Sequence, residues 1–224
     1  MRPFTHTISI QEALRRAHDA VRPITRTERV ALAEAAGRVA AGPVLARADV
    51  PPFDRAAMDG YAVIAADTAA STSAAAATLR LVGLTYAGSA PHAGIARGEC
   101  VEIATGAPLP PGADAVVMVE RTRCDEGLVR VEEPVRAGQN VGRRANDLAA
   151  GTVVVAAGEW LSPARVGALA AAGVPGVQVF ARPLVALAST GDELVLPGHD
   201  LSGGQIHDVN RFTLPAVIAA HGGL

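Results

Sequence analysis

The sequence predicts an α+β chain of several domains. A small β domain is inserted into a linker domain of helix and strand, and the start of an α/β domain follows. Three observations predict this. Ile10, Leu14, Ala17 and Val21 recur at helical spacing near the N-terminus. From about residue 60 to 147 short apolar runs alternate with clusters of Gly, Pro, Asp and Asn, the pattern of a barrel or sandwich. Beyond residue 182, "LVALAST" is apolar on both faces, as a strand in a helix-covered parallel sheet must be. The expected boundaries are residues 1–48 with 148–181 for the linker domain, 49–147 for the inserted β domain, and 182–224 for an incomplete α/β domain.

Taken in order, Ser9 caps the first helix and Pro23 stops it. A shorter helical piece is expected around Val30 to Ala36, closed by Gly37 in a left-handed cap. Pro43 and the pair Pro51-Pro52 then hold the chain extended. The β domain draws on "YAVIA", "LRLVGL", "CVEIA", "DAVVMV" and "LVRVEE". "TAASTSAAAAT", residues 68–78, reads as an exposed loop of low complexity, with a helical turn as the alternative. Ser162 and Pro163 open a further helix that Gly173 ends. "VQVFARPLVALASTGDEL" gives two short strands, and a last helix starts near Asn210 as its cap. One buried-type strand with one helix leaves a parallel sheet without neighbours. The expectation is that the third domain is cut short, or that a partner chain completes it.

Composition narrows the function. The chain has 224 residues, 50% of them hydrophobic, and a net charge of −2, so nothing marks a nucleic-acid binder. All 20 basic residues are arginine. An anion site here must therefore use Arg forks, backbone N–H groups or hydroxyls. No apolar run reaches the ~18 residues of a membrane span, and no signal peptide is visible. Cys100 and Cys124 are too far apart for a CxxC motif and read as reduced cytosolic thiols. The six histidines show no metal spacing. No G-x-S-x-G elbow or GxGxxG turn occurs, and a P-loop is impossible without lysine.

Four loops remain as carriers of chemistry. "AAMDGYAV" holds Asp59. "EIATGAPLPPGADAVV" holds Thr105, Gly106 and Asp114. "NVGRRANDLAAG" holds Asn140, Arg143, Arg144 and Asp147. "STGDELVLPG" holds Ser189, Thr190, Gly191, Asp192 and Glu193. Singly, each has a structural reading. Asp59-Gly60 is a turn signal, "TGAPLPPG" a stiffened loop, Arg143-Arg144 a charged surface, and Asp192-Glu193 a helix cap. Jointly, carboxylates in Gly-rich loops with Thr and Arg suit an oxyanion beside a hard divalent cation.

"PPFDRAAMDGYAV", "GECVEIATGAPLPPGADAVVMVE", "AGQNVGRRANDLAAG", "LSPARVGALAAAGV", "RPLVALASTGDELVLPG" and "GGQIHDVN", in this order, resemble the molybdopterin molybdenumtransferases. This is the MoeA family, to which the E domain of gephyrin also belongs. The resemblance covers nearly the whole chain as the N-terminal portion of such a protein. It implies a cytoplasmic homodimer that inserts molybdate into adenylylated molybdopterin, with Mg²⁺, and releases AMP. Molybdopterin adenylyltransferase would be the upstream partner. The first domain would then serve dimerisation, and the last would bind molybdopterin. Carried onto this sequence, the resemblance implies Asp59, Asp147 and Glu193 as catalytic acids and as Mg²⁺ ligands. Thr105, Gly106, Ser189, Thr190, Gly191 and Arg143 would bind substrate.

Two motifs depart from the family pattern, at three residues. Ala56 stands where a serine is usual, and Ala145-Asn146-Asp147 replaces Gly-Glu-Asp. The family's glycine- and serine-rich motif, its molybdate-holding basic residues and its C-terminal β domain would lie beyond residue 224. A second reading is a truncated, non-catalytic member that dimerises or binds partners.

Overall fold

The computed structural model describes residues 7–72 and 74–224; His6, Ser73 in the low-complexity loop, and the first residues of the linker domain lie outside them. The elements are, in chain order, α1 (Ile10–Ala20), β1 (Thr27–Ala31), β2 (Val44–Leu45), β3 (Arg55–Ala56), β4 (Gly60–Val63), β5 (Ala77–Thr85), β6 (Glu99–Ile103), β7 (Ala115–Met118), β8 (Thr122–Asp125), β9 (Leu128–Val131), β10 (Val141–Gly142), β11 (Val153–Val155), α2 (Pro163–Ala171), β12 (Gly176–Phe180), β13 (Leu194–Val195), β14 (Ile206–His207) and α3 (Asn210–Ala220). The fold is mixed α/β. The chain forms two compact units, one of Met1–Gly42, Ala156–Val166 and Gly176–Leu224, the other of Pro43–Val155 and Gly167–Pro175.

In the first unit, α1 forms for the reasons legible in its sequence. The Ser9 side chain accepts a hydrogen bond from the Glu12 N–H at 3.1 Å. Arg15 bridges Glu12 at 2.9 Å and Asp19 at 2.8 Å along the exposed side. The helix ends at Val21, ahead of Pro23, and buries none of its residues. The expected helix around Val30 to Ala36 is corrected. Thr27–Ala31 is β1, antiparallel to β12 with Val30 opposite Val177, and only Leu32–Glu34 makes a single 3-10 turn. Ladder pairing of the β-branched Val30 outweighs the helical propensity of its alanine neighbours. Gly37 does take the left-handed conformation, at φ 77°.

The strand expected at "LVALAST" is also corrected. Residues 184–190 pair with no strand among the described residues, and Leu184 is 85% exposed. The parallel pair in this region is β13 with β14. The α3 helix appears where expected. Its side-chain cap, however, comes from Asp208, which accepts from the Arg211 N–H at 3.0 Å. At α2, the Ser162 hydroxyl accepts from the Arg165 N–H at 3.3 Å, and Gly173 sits just past the end at φ 73°.

The second unit is built on a curled six-stranded sheet of order β7-β4-β6-β5-β9-β8. All neighbours are antiparallel except β5 and β6. Strand alternation sends Tyr61, Val63, Leu79, Cys100, Val117, Val129 and Val131 into one core. Ala56, Ala62, Ile103, Ala107 and Val116 pack on the opposite face. The β8 strand was not expected. Its residues, Thr122 to Asp125, carry no buried side chain and hence no alternation to read.

Asp59-Gly60 is not a hairpin turn. Asp59 is a bend residue, and Gly60 is the first residue of β4, which lies between β6 and β7. A Cβ at Gly60 would stand 1.8 Å from the Val117 carbonyl oxygen. The glycine next to the acid is therefore a packing requirement of the sheet.

Candidate functional site

Asp59 is held at one end of the sheet by the loop that follows β6. Its Oδ1 accepts the Thr105 N–H at 2.6 Å and the Thr105 hydroxyl at 2.7 Å. No hydrogen bond from a described residue reaches Oδ2. The Thr105 backbone N–H, and then its hydroxyl, hold the Asp59 carboxyl below the usual carboxylate range. Gly106 turns the loop at φ 82° and donates its N–H to the Ala56 carbonyl at 2.8 Å. Asp59, Thr105 and Gly106, expected from two separate loops, thus meet in one place. Ala56 is buried in the apolar cluster of Ile103, Ala107 and Val116, which suits the missing hydroxyl.

Asp59 opens onto a recess of about 280 Å³ at the mouth of the sheet's inner face. Cross-strand register builds its floor. Glu102 on β6 stands opposite Tyr61 on β4 and beside Leu84 on β5, so the three share one face. One step along, the Val119 N–H donates to the Asp59 carbonyl at 3.2 Å, and the Ala104 N–H donates to Thr85 at 3.1 Å. Tyr86 and Val119 complete the rim. Burial pushes the Tyr61 phenol up to about 12, with Cys124 and Glu102 adding to it. Sequence reasoning missed Glu102, Leu84, Tyr86 and Val119. Nothing in "CVEIA" marks Glu102 as lining a recess, and only the register shows what stands beside it.

The arginine-bearing loop is tied down by acids. Arg143 donates to Asp54 Oδ2 at 2.8 Å, and the Arg144 N–H donates to Oδ1 at 2.8 Å. Arg144 also reaches Asp49 at 2.5 Å, while Asp49 accepts the Ala150 N–H at 2.8 Å. The Arg144 N–H, followed by the Arg143 guanidinium, lowers the Asp54 pKa. The Ala150 N–H, followed by Arg144, lowers that of Asp49. Arg143 is thus an ion-pair partner of Asp54 in this structure. Asp147 follows in the same loop; its N–H donates to Val50 at 2.9 Å, and its carboxylate receives Asn146 at 3.3 Å. Asn140 and Asp114 are structural ties: Asn140 donates to the Val116 carbonyl, and Asp114 accepts the Ala65 N–H.

In the other unit, Ser189 and Thr190 line a cavity of about 500 Å³ with Asp208, Arg211 and Leu214. Gly191 has φ 150°, and a Cβ there would meet the Glu193 carboxylate, which folds back over it. Asp192 is exposed. Asp59 and Asp147 belong to one unit and Glu193 to the other. Among the described residues, no group of three or more His, Cys, Asp and Glu side chains is gathered to hold a metal.

A family model described as the MoeA N-terminal region, domains I and II, matches residues 8–173. The chain belongs to the MoeA family. The molybdopterin molybdenumtransferase of Haemophilus influenzae is 38% identical over 195 residues, 87% of this chain and 47% of that protein. Molybdopterin molybdenumtransferase 2 of Mycobacterium tuberculosis is 39% identical over 199 residues, 89% of this chain and 48% of that one. The crystal structure of a molybdopterin biosynthesis MoeA protein from Pyrococcus horikoshii superposes with a TM-score of 0.84 at 34% identity, covering 95% of this chain and 57% of that one. The chain spans about half the length of the curated MoeA relatives it matches. No helix among the described residues is long and apolar enough to cross a membrane.

Proposed function

We propose that these residues form part of a molybdopterin molybdenumtransferase, acting in molybdenum cofactor biosynthesis. In this reading the protein inserts molybdate into adenylylated molybdopterin and releases AMP, as a cytoplasmic homodimer fed by molybdopterin adenylyltransferase. Asp59 is the observation that carries it. This acid has one oxygen locked by Thr105 and the other free, at the edge of a recess that no arginine lines. Family membership supports the substrate class. The two free thiols, Cys100 and Cys124, suit a reducing compartment.

A hard cation fits the donor chemistry here. Mg²⁺ keeps several waters and is bound through one or two carboxylates plus substrate phosphates, so it needs no protein cage. The free Oδ2 of Asp59 can serve as one such ligand, and Asp147 and Glu193 are the alternative candidates. Mg²⁺ there would neutralise charge that builds on phosphate oxygens as a phosphoanhydride breaks. The chain's own residues supply the rest. Thr105 fixes the Asp59 carboxylate in orientation and favours its charged form. Thr105, Gly106, Ser189, Thr190 and Gly191 offer hydroxyl and backbone N–H groups to anionic substrate. Arg143 can join them only by leaving Asp54.

The test is Asp59→Asn in the natural polypeptide that carries these residues. Asparagine keeps an oxygen for both Thr105 donors and removes the charge. We expect unchanged melting and a fall in molybdate insertion of about a hundredfold or more. Full turnover in the variant would reduce Asp59 to a loop residue.

A further inference from the structure

The recess beside Asp59 has a composition that phosphate and metal chemistry do not account for. Its walls are apolar: Leu84, Tyr86 and Val119 line it and are 44%, 59% and 47% exposed. Its charged groups are Asp59 and Glu102, and no arginine lines it. Most other acids near loops in this unit are neutralised: Asp49, Asp54, Asp67, Glu99, Glu132 and Glu133 each meet an arginine. Glu102 is exposed and forms no ion pair with a described residue.

A bare anion is repelled by two carboxylates. A pure hydrocarbon ligand would leave both acids without partners. A flat ring with N–H donors on its edge satisfies apolar wall and acid together. The aromatic Tyr86 offers area for stacking, and a carboxylate accepts two adjacent N–H groups as a fork. At about 280 Å³ the recess lies just under the ~300–1,000 Å³ of ligand pockets, which is room for a ring system and not for a whole nucleotide.

We propose that this recess binds a planar, amino-bearing heterocycle, with Tyr86 and Leu84 against the ring and Glu102 accepting its edge N–H groups. The proposal deepens the function proposed above and rests on it for the source of the ring. An adenylylated pterin carries two candidates. A pterin edge presents an amino group next to a ring N–H and matches a carboxylate fork. An adenine edge presents its amino group alone.

The sequence provides the probe. The chain has two tyrosines, Tyr61 and Tyr86, and both line the recess. Ring-¹³C tyrosine in the full 224-residue chain therefore reports on this place by NMR. Pterin, adenosine and inorganic phosphate are titrated separately, without divalent cations. A saturable shift of the Tyr86 signal with pterin, or with adenosine, is expected, and the tighter of the two names the ring. Phosphate should leave both signals in place. Glu102→Gln should weaken ring binding about tenfold or more, through loss of a charged acceptor. Tyr86→Ala, read on Tyr61, should remove saturation. Both positions are exposed, so unchanged melting is expected and is checked alongside. No saturable shift with either ring overturns the proposal, and so does wild-type affinity in both variants. A chain that binds the ring while Asp59→Asn retains full insertion would keep this inference and sink the reading of Asp59.

Discussion

Asp59 accepts two hydrogen bonds on one oxygen, and both come from Thr105. This makes its ionisation a local property of one residue pair. The folded-state pKa lies below the ordinary 3.8, so folding favours the carboxylate. The stabilisation from this pair is complete above 3.8 and is lost as the pH falls through the lowered folded value. Thr105→Val removes the hydroxyl and leaves the N–H. The Asp59 pKa should then rise toward 3.8 without reaching it, because the N–H is the larger cause. A ¹³C carboxyl titration reads this directly; an unmoved value would show that the hydroxyl contributes nothing. The neighbour gives a contrasting test. Gly60→Ala drives a methyl into the Val117 carbonyl, and a backbone atom cannot rotate away. Destabilisation of at least about 2 kcal/mol is expected in urea unfolding. A near-neutral result would mean that β4 and β7 can separate at that point.

Elements were legible where local chemistry decides them. Ser9 and Pro23 bound α1, Ser162 and Gly173 bound α2, and short apolar runs between turn residues marked β4, β6, β7 and β9. They were illegible where a distant partner decides. Val30 reads as helix until Val177 stands opposite it, and "LVALAST" reads as a buried strand although no strand among the described residues pairs with it. The site divides the same way. Asp59, Thr105 and Gly106 were found because they sit in recognisable loops. Glu102 and Tyr86 were missed because their meaning is in the register of β4, β5 and β6. The two cysteines make this measurable. Cys100 on β6 is fully buried, and Cys124 on β8 is exposed. Burial pushes the Cys100 thiol up to about 12. An aromatic disulfide reagent should therefore titrate one thiol in the native chain and two after unfolding. The sign of the pH effect also follows. Cys100 contributes stability below the ordinary 9.0 of an unfolded thiol and loses it as the pH rises toward 12. Two fast thiols in the native chain would mean that the inner face of the sheet opens.

For the whole molecule, the distribution of apolar surface is the deciding quantity. Single exposed apolar residues are ordinary. Here they come in runs. Ile10, Leu14 and Val21 mark α1, which buries none of its residues. Leu184, Val185 and Leu187, then Phe212, Leu214 and Val217, are exposed in the last forty or so residues. Runs of this kind suit contact with further polypeptide. The charges on α1 do not offer an alternative explanation, because Glu12, Arg15, Arg16 and Asp19 already satisfy one another within the helix. Association through these surfaces would be apolar, and salt screens ion pairs without weakening apolar contacts. The chain should therefore sediment as a dimer or larger species, and adding salt should not dissociate it. Leu14→Glu places a charge on the α1 stripe without touching a buried residue, so folding should survive it. If α1 forms the interface of the proposed homodimer, this variant shifts the distribution toward monomer, while Leu184→Glu leaves it in place. The reverse ranking would move the interface to residues 184–217. A monomer at every concentration would refute self-association outright.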